Sequence, residues 1–186
     1  MKDLSLNLLD IAENSVKAGA PLTQLHIIEE GNTLTFRVVD DGCGMTEEIL
    51  RGVTDPFYTT RTTRKVGLGL PLLRMAAEQT GGHMEVTSRH FESHPDDHGT
   101  TVTAVFHTDH IDCPPVGDLV ATVTTLIQGH PDRDFHFLHV TDGRQVELDT
   151  RQLREILGEV SLAEFEVLQW ISGYLSEQYT AEDAKE

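Results

Sequence analysis

The sequence predicts an α+β fold: a two-layer α/β sandwich over residues 1–109, followed by a small α+β module over 110–180. Two observations carry this. The first part reads in the order helix, two strands, helix, polar basic segment, helix, two strands. Its apolar residues also switch between the helical period of 3.6 and the strand period of 2, so helices would cover one face of a four-stranded sheet.

The first helix places Leu4, Leu8, Leu9, Ile11, Ala12 and Val16 around one side. On the other, Asp10, Asn14 and Lys17 fall at i, i+4 and i+7 and share a narrow strip. A carboxylate, an amide and an ammonium in a row suit a magnesium-bound polyphosphate, although such a strip alone is more often a solvated face. Gly19 and Pro21 end this helix. Strand-like runs follow at 24–29 and 33–39. The second alternates Leu34, Phe36 and Val38 with Thr33, Thr35 and Arg37, and a hairpin joins the two.

That strand enters Asp40-Asp41-Gly42-Cys43-Gly44-Met45. Its glycines permit positive φ and close backbone approach, next to a carboxylate fixed at the strand end. Thr46 caps a short helix to Val53. Between Asp55 and Glu78 there is no acidic residue, yet Arg61, Arg64, Lys65 and Arg74 fall there. This cluster leads into Gly67-Leu68-Gly69-Leu70 and a helix to about Gln79. A glycine-rich turn opening a helix offers free N–H groups and the positive end of the helix dipole, a seat for phosphate. Two more strands, 83–88 and 100–107, flank a polar stretch ending at Gly99.

Composition narrows the function classes. The 14 Lys+Arg against 31 Asp+Glu leave a net charge of −17, which disfavours nucleic acid and anionic membrane as partners and favours a basic protein partner. Two distant cysteines, Cys43 and Cys113, speak against a disulfide framework or zinc site. With no membrane-length apolar run and no signal-peptide pattern, the chain reads as cytoplasmic. Ten histidines are scattered, and metal binding by His90, His94 and His98 ranks well below a plain surface reading.

Taken in order, these motifs resemble the GHKL ATPase superfamily of DNA gyrase B, the ninety-kilodalton heat-shock chaperones, histidine kinases and MutL. The segment from Glu13 to Ala20 is similar to the MutL form of the N box. Asp40-x-Gly42-x-Gly44 is similar to the G1 box, Gly67-Leu68-Gly69-Leu70 to the G2 box, and Gly99-Thr100-Thr101-Val102 to the closing G3 element. The run from Asp55 through Phe57 to Arg61 resembles one class of histidine kinases. Each box is weak alone, and the ordered set is specific.

The resemblance implies the Bergerat version of the sandwich, with ATP and Mg2+ as ligands. Asn14 would ligate the magnesium, and Lys17 would neutralise phosphate charge. Asp40 would accept from the adenine amine, with Gly42, Gly44, Met45 and Phe57 about the nucleotide and Thr100 steadying Asp40. Gly67, Leu68, Gly69 and Leu70 would put amides on the phosphates, under a lid carrying Arg61, Arg64 and Lys65. Asp10 is the candidate general base. It stands where hydrolysing members carry Glu and is roughly 1.5 Å shorter in reach, which points to slow turnover. Glu13 is expected to be structural. Lys65 replaces a usual glycine and stiffens the lid. Because the N box begins the chain, the dimerisation domain and phosphoacceptor histidine of ordinary histidine kinases are expected to be missing.

Beyond His110 the resemblance gives no help. A helix is expected at 116–128, a hairpin about Thr141-Asp142-Gly143, and a helix at 150–157. A capping box at Ser161–Glu164 would start a last helix with Phe165, Leu168, Ile171 and Leu175 on one side, and residues 181–186 would form a disordered tail. The functional expectation is an Mg-ATP-binding regulatory switch or slow ATPase acting on an unidentified partner protein. A homodimer is one expected assembly. A kinase for Ser or His of a separate protein and a non-hydrolysing ATP-binding scaffold are the alternatives.

Overall fold

A computed structural model describes residues 3–53 and 68–181. Its elements run α1 (Leu4–Lys17), β1 (Leu22–Glu30), β2 (Thr33–Asp40), α2 (Glu47–Val53), α3 (Gly69–Gln79), β3 (His83–Arg89) and β4 (Gly99–His107). The chain continues with α4 (Leu119–Gly129), β5 (Asp134–Thr141), β6 (Arg144–Asp149), α5 (Thr150–Leu157) and α6 (Phe165–Thr180).

The strands form one mixed sheet of order β3-β4-β2-β1-β5-β6. The β1–β2 and β5–β6 hairpins turn through two-residue loops, with Gly31 and Gly143 at φ of +57 and +82. Alternation sorts the side chains. Leu25, Ile27, Phe36, Ala104, Phe106, Phe135 and Phe137 face the helices and are fully buried or nearly so, together with Leu4, Leu8 and Ile11 of α1. The alternate positions, including His26, Arg37, Thr103 and His136, stay half-buried or exposed on the other face.

The segment beyond 110 is α+β, as its pattern indicated, but its strands continue the sheet. β5 pairs in parallel with β1, from Leu22 opposite Asp134 to Ile28 opposite Val140. Its apolar residues Val123, Ile127, Phe137, Ile171 and Leu175 join the one core cluster formed with α1 and β1. A lone hairpin cannot bury its apolar face, and the β1 edge offers both hydrogen-bonding groups and a surface to pack on.

Local signals explain most boundaries. The Asp3 carboxylate accepts from the Leu6 N–H at 3.0 Å, capping α1. Thr46 Oγ1 accepts from the Ile49 N–H at 3.4 Å, as expected of a cap. The last helix departs from its expected start. Ser161 Oγ takes the Ala163 N–H at 3.1 Å in a turn, Glu164 is extended, and α6 begins at Phe165. Phe165 therefore lies 71% exposed, while Val167, Ile171 and Leu175 form the buried side. A serine bonding two residues ahead closes a turn in competition with the helix start.

Candidate nucleotide site

The second half of α1 and the end of β2 meet at a cavity of about 620 Å³. Asn14 and Lys17 line it from the helix, Asp40 from the strand end, Gly44 and Met45 from the following turn, Leu70 from α3 and Thr100 from β4. Residues read from four separate stretches of sequence thus share one enclosure. Asp10, one turn before Asn14, is not in its lining. It lies against the start of α3, where a Cβ on Gly69 would sit 3.5 Å from the Asp10 Cβ.

The Asp40 carboxylate is held on both oxygens. Oδ1 accepts from the Gly42 N–H at 2.9 Å and the Thr100 N–H at 3.3 Å, and Oδ2 accepts from the Ser15 hydroxyl at 2.7 Å. Three donors fix its orientation, and a carboxylate has acceptor capacity for about four. About one acceptor site is left over on a carboxylate that lines the cavity.

The turn after Asp40 is clamped from two sides. The Cys43 N–H donates to the Ala18 carbonyl at 2.9 Å, and the Phe91 N–H donates to the Cys43 carbonyl at 2.9 Å. His98 Nδ1 donates to the Gly42 carbonyl at 2.5 Å. Gly44 has φ of +70, and a Cβ there would fall 1.9 Å from the Arg89 carbonyl oxygen, so only glycine fits. Gly99, with φ of +136, would place a Cβ 2.0 Å from the Asp40 carbonyl oxygen. The Met45 N–H donates to Ser88 Oγ at 2.8 Å, and that hydroxyl lies 2.8 Å from Thr100 Oγ1.

Ser15, Ser88 and His98 were not among the expected site residues. Ser15 stands next to Asn14, so an N-box reading that asked what steadies Asp40 would have reached it. Ser88 and His98 carry no local signal, because their partners lie across strand pairs and a loop.

At the other wall, α3 opens at Gly69 after Leu68, which makes no side-chain cap, and its first turn has no acidic residue. Leu68 is 66% exposed and Leu70 buried. Glu13 faces away from the cavity: His130 Nε2 lies 3.0 Å from both of its carboxylate oxygens, tying α1 to the end of α4. Phe57, Arg61, Arg64, Lys65 and Gly67 lie outside the described residues. Among the described residues no cluster of three or more His, Cys, Asp or Glu side chains is placed to hold a metal ion, and no helix is long and apolar enough to cross a membrane.

Helices on one sheet face, a strand-end carboxylate braced by backbone amides and a glycine turn folded against it define an ATPase-type architecture. The family described as histidine kinase-, DNA gyrase B-, and HSP90-like ATPase matches residues 2–110, and the chain belongs to it. Among curated proteins it is 29% identical over 94 residues to the sensor protein KdpD of Clostridium acetobutylicum, over 48% of this chain and 10% of the relative. It is 38% identical over 85 residues to the C4-dicarboxylate transport sensor protein DctB of Pseudomonas aeruginosa, over 43% of this chain and 14% of the relative. The chain thus spans only a small part of these relatives. Among solved structures it is similar to the Aquifex aeolicus MutL ATPase domain complexed with ADP, with a TM-score of 0.49 and 14% identity, over 80% of this chain and 65% of that one. It is also similar to the mycobacterial sensor histidine kinase MprB, with a TM-score of 0.41 and 19% identity, over 54% and 68%.

Proposed function

We propose that this chain is a cytoplasmic Mg-ATP-binding switch with slow ATPase activity, acting on a partner protein. The supporting observation is the Asp40 carboxylate, fixed by three donors at the wall of a cavity that Asn14 and Lys17 also line. Its remaining acceptor site would take the adenine amine and repel the carbonyl that guanine carries there, so the site would select ATP. Gly44 and Met45 would contact the ring.

The cavity fits magnesium as a nucleotide-borne ion. Mg2+ binds through one or two protein oxygens plus phosphates and waters, and the Asn14 amide supplies one such oxygen without an all-protein cage. The bound ion would supply charge neutralisation for the phosphates. Lys17 would add a point charge beside them, and the uncapped start of α3 at Gly69 and Leu70 would add N–H donors. Asp10 is the group for orienting or deprotonating a water. Its short side chain limits reach, which favours slow turnover.

Incubation with γ-labelled Mg-ATP, alone and with cell lysate, tests this reading. Free phosphate from the purified chain, reduced to background in Asp10→Asn, is the expected result. Background-level release by both proteins would instead make it a non-hydrolysing scaffold. The matches to sensor proteins favour one second reading, a kinase acting on Ser or His of a separate protein. Label appearing on a lysate protein, with little free phosphate, would establish it.

A further inference from the structure

The C-terminal part of the chain carries a surface that the nucleotide site does not use. Residues 155–181 contain five glutamates, all exposed, and no Lys or Arg. Within this stretch Trp170 and Tyr174 stand 52% and 39% exposed, their rings stacked at 4.9 Å with an interplanar angle of 10°. On α6 they share a strip with Glu166, Gly173 and Glu177, opposite the buried side formed by Ile171 and Leu175. The strip reads carboxylate, stacked aromatic pair, carboxylate, with the two glutamates roughly 16 Å apart along the helix. Gly173 leaves the middle open, since a Cβ there would meet nothing within 4 Å.

We propose that this outward strip of α6 is a docking surface for a basic amphipathic segment of a partner protein. Charge selects the occupant. Arg151 and Arg154 of α5 are paired with Asp149 and Asp134 at 2.8 and 2.7 Å, so the strip's carboxylates face solvent without cations from α5. An exposed indole face flanked by carboxylates favours Lys or Arg through cation–π attraction, while apolar partner side chains cover the ring edges. A second copy is disfavoured. Two α6 strips packed in either direction bring Glu166 and Glu177 against one another, in chains that each carry a net charge of −17. Residues 182–186, Glu-Asp-Ala-Lys-Glu, offer no large apolar side chain to cover it. The proposal goes beyond the nucleotide reading and is tested without nucleotide.

Trp170 is the only tryptophan in the chain, so its emission reports on this surface directly. The full chain is titrated with a Trp-free amphipathic Lys/Leu peptide and, separately, with a scrambled peptide of the same composition. A saturable blue shift with the amphipathic peptide, much weaker with the scrambled one, is expected. Affinity should fall about fivefold in the E166Q/E177Q double variant, the loss of two exposed ion pairs. Both substitutions are at exposed sites, and unchanged thermal unfolding verifies that the fold is intact. Equal binding of both peptides, or binding with unchanged emission, would overturn the proposal. So would a blue shift that grows with protein concentration in the absence of peptide, since the occupant would then be a second copy.

Discussion

The two ends of the central strands each hold a carboxylate in a polar network, and the networks differ in how firmly the carboxylate is held and what it is tied to. At the end of β2, Asp40 takes hydrogen bonds from Ser15, Gly42 and Thr100 and still borders a cavity of about 620 Å³. At the end of β1, Glu29 accepts from His139 Nε2 at 2.7 Å, and His139 Nδ1 lies 2.8 Å from the Tyr179 hydroxyl. Glu29 can only accept, so in the neutral ring Nε2 carries the proton and Nδ1 accepts from Tyr179. Burial pushes the Tyr179 phenol well above its ordinary value, which keeps it a donor. Both ring nitrogens of His139 are occupied by protein groups. A carboxylate held by three donors at a cavity is oriented for a ligand, whereas the Glu29-His139-Tyr179 chain, with both histidine nitrogens taken, ties α6 to the sheet.

Substitutions at the two ends should therefore separate stability from binding. Tyr179→Phe leaves Nδ1 of a buried histidine without its donor and should cost about 1–2 kcal/mol of stability, with ATP affinity unchanged. Denaturant unfolding and calorimetric ATP titration measure the two effects. A loss of ATP affinity would mean that the ends are coupled. Ser15→Ala should do the reverse, lowering ATP affinity about three- to tenfold by loosening Asp40. If its affinity matched wild type, the two remaining donors would suffice to orient Asp40.

The smallest effect concerns the open sheet face. His26 Nε2 is buried without a hydrogen-bond partner among the described residues, and its ring lies edge-on to His136 at 5.4 Å. Burial first, then His136 and Arg37, hold the His26 pKa below its ordinary value of 6.5, with Glu147 opposing. The unfolded chain consequently binds the His26 proton more readily than the folded one. Its contribution to stability is present above pH 6.5 and is lost as the pH falls below it. In unfolding curves across this range His26→Leu should show a shallower decline than wild type, the other nine histidines being common to both. Parallel curves would remove His26 as a source of the decline.

What could be read from sequence was what is local or periodic. The α1 strip, the alternation of β2 and the glycine turn after Asp40 need only neighbours within a few residues. Spacing did not reveal that β5 adds to the β1 edge, because a 135–148 hairpin pattern is the same whether it pairs within itself or joins a larger sheet. Ser88 and His98 brace the glycine turn through contacts 43 and 56 residues away. A serine or histidine in a polar stretch gives no sign of such a partner. The capping-box reading at Ser161 failed locally, since the same hydroxyl also satisfies a turn.

In the proposed nucleotide site, Asp40 is the group that would select adenine. Calorimetric titration of Mg-ATP and Mg-GTP into wild type and Asp40→Asn tests it most directly. Wild type should bind ATP well and GTP poorly. Asp40→Asn should bind ATP about 10- to 100-fold more weakly, the value of a hydrogen bond to a charged acceptor. Unchanged ATP affinity in Asp40→Asn, or equal affinity of wild type for both nucleotides, would contradict it.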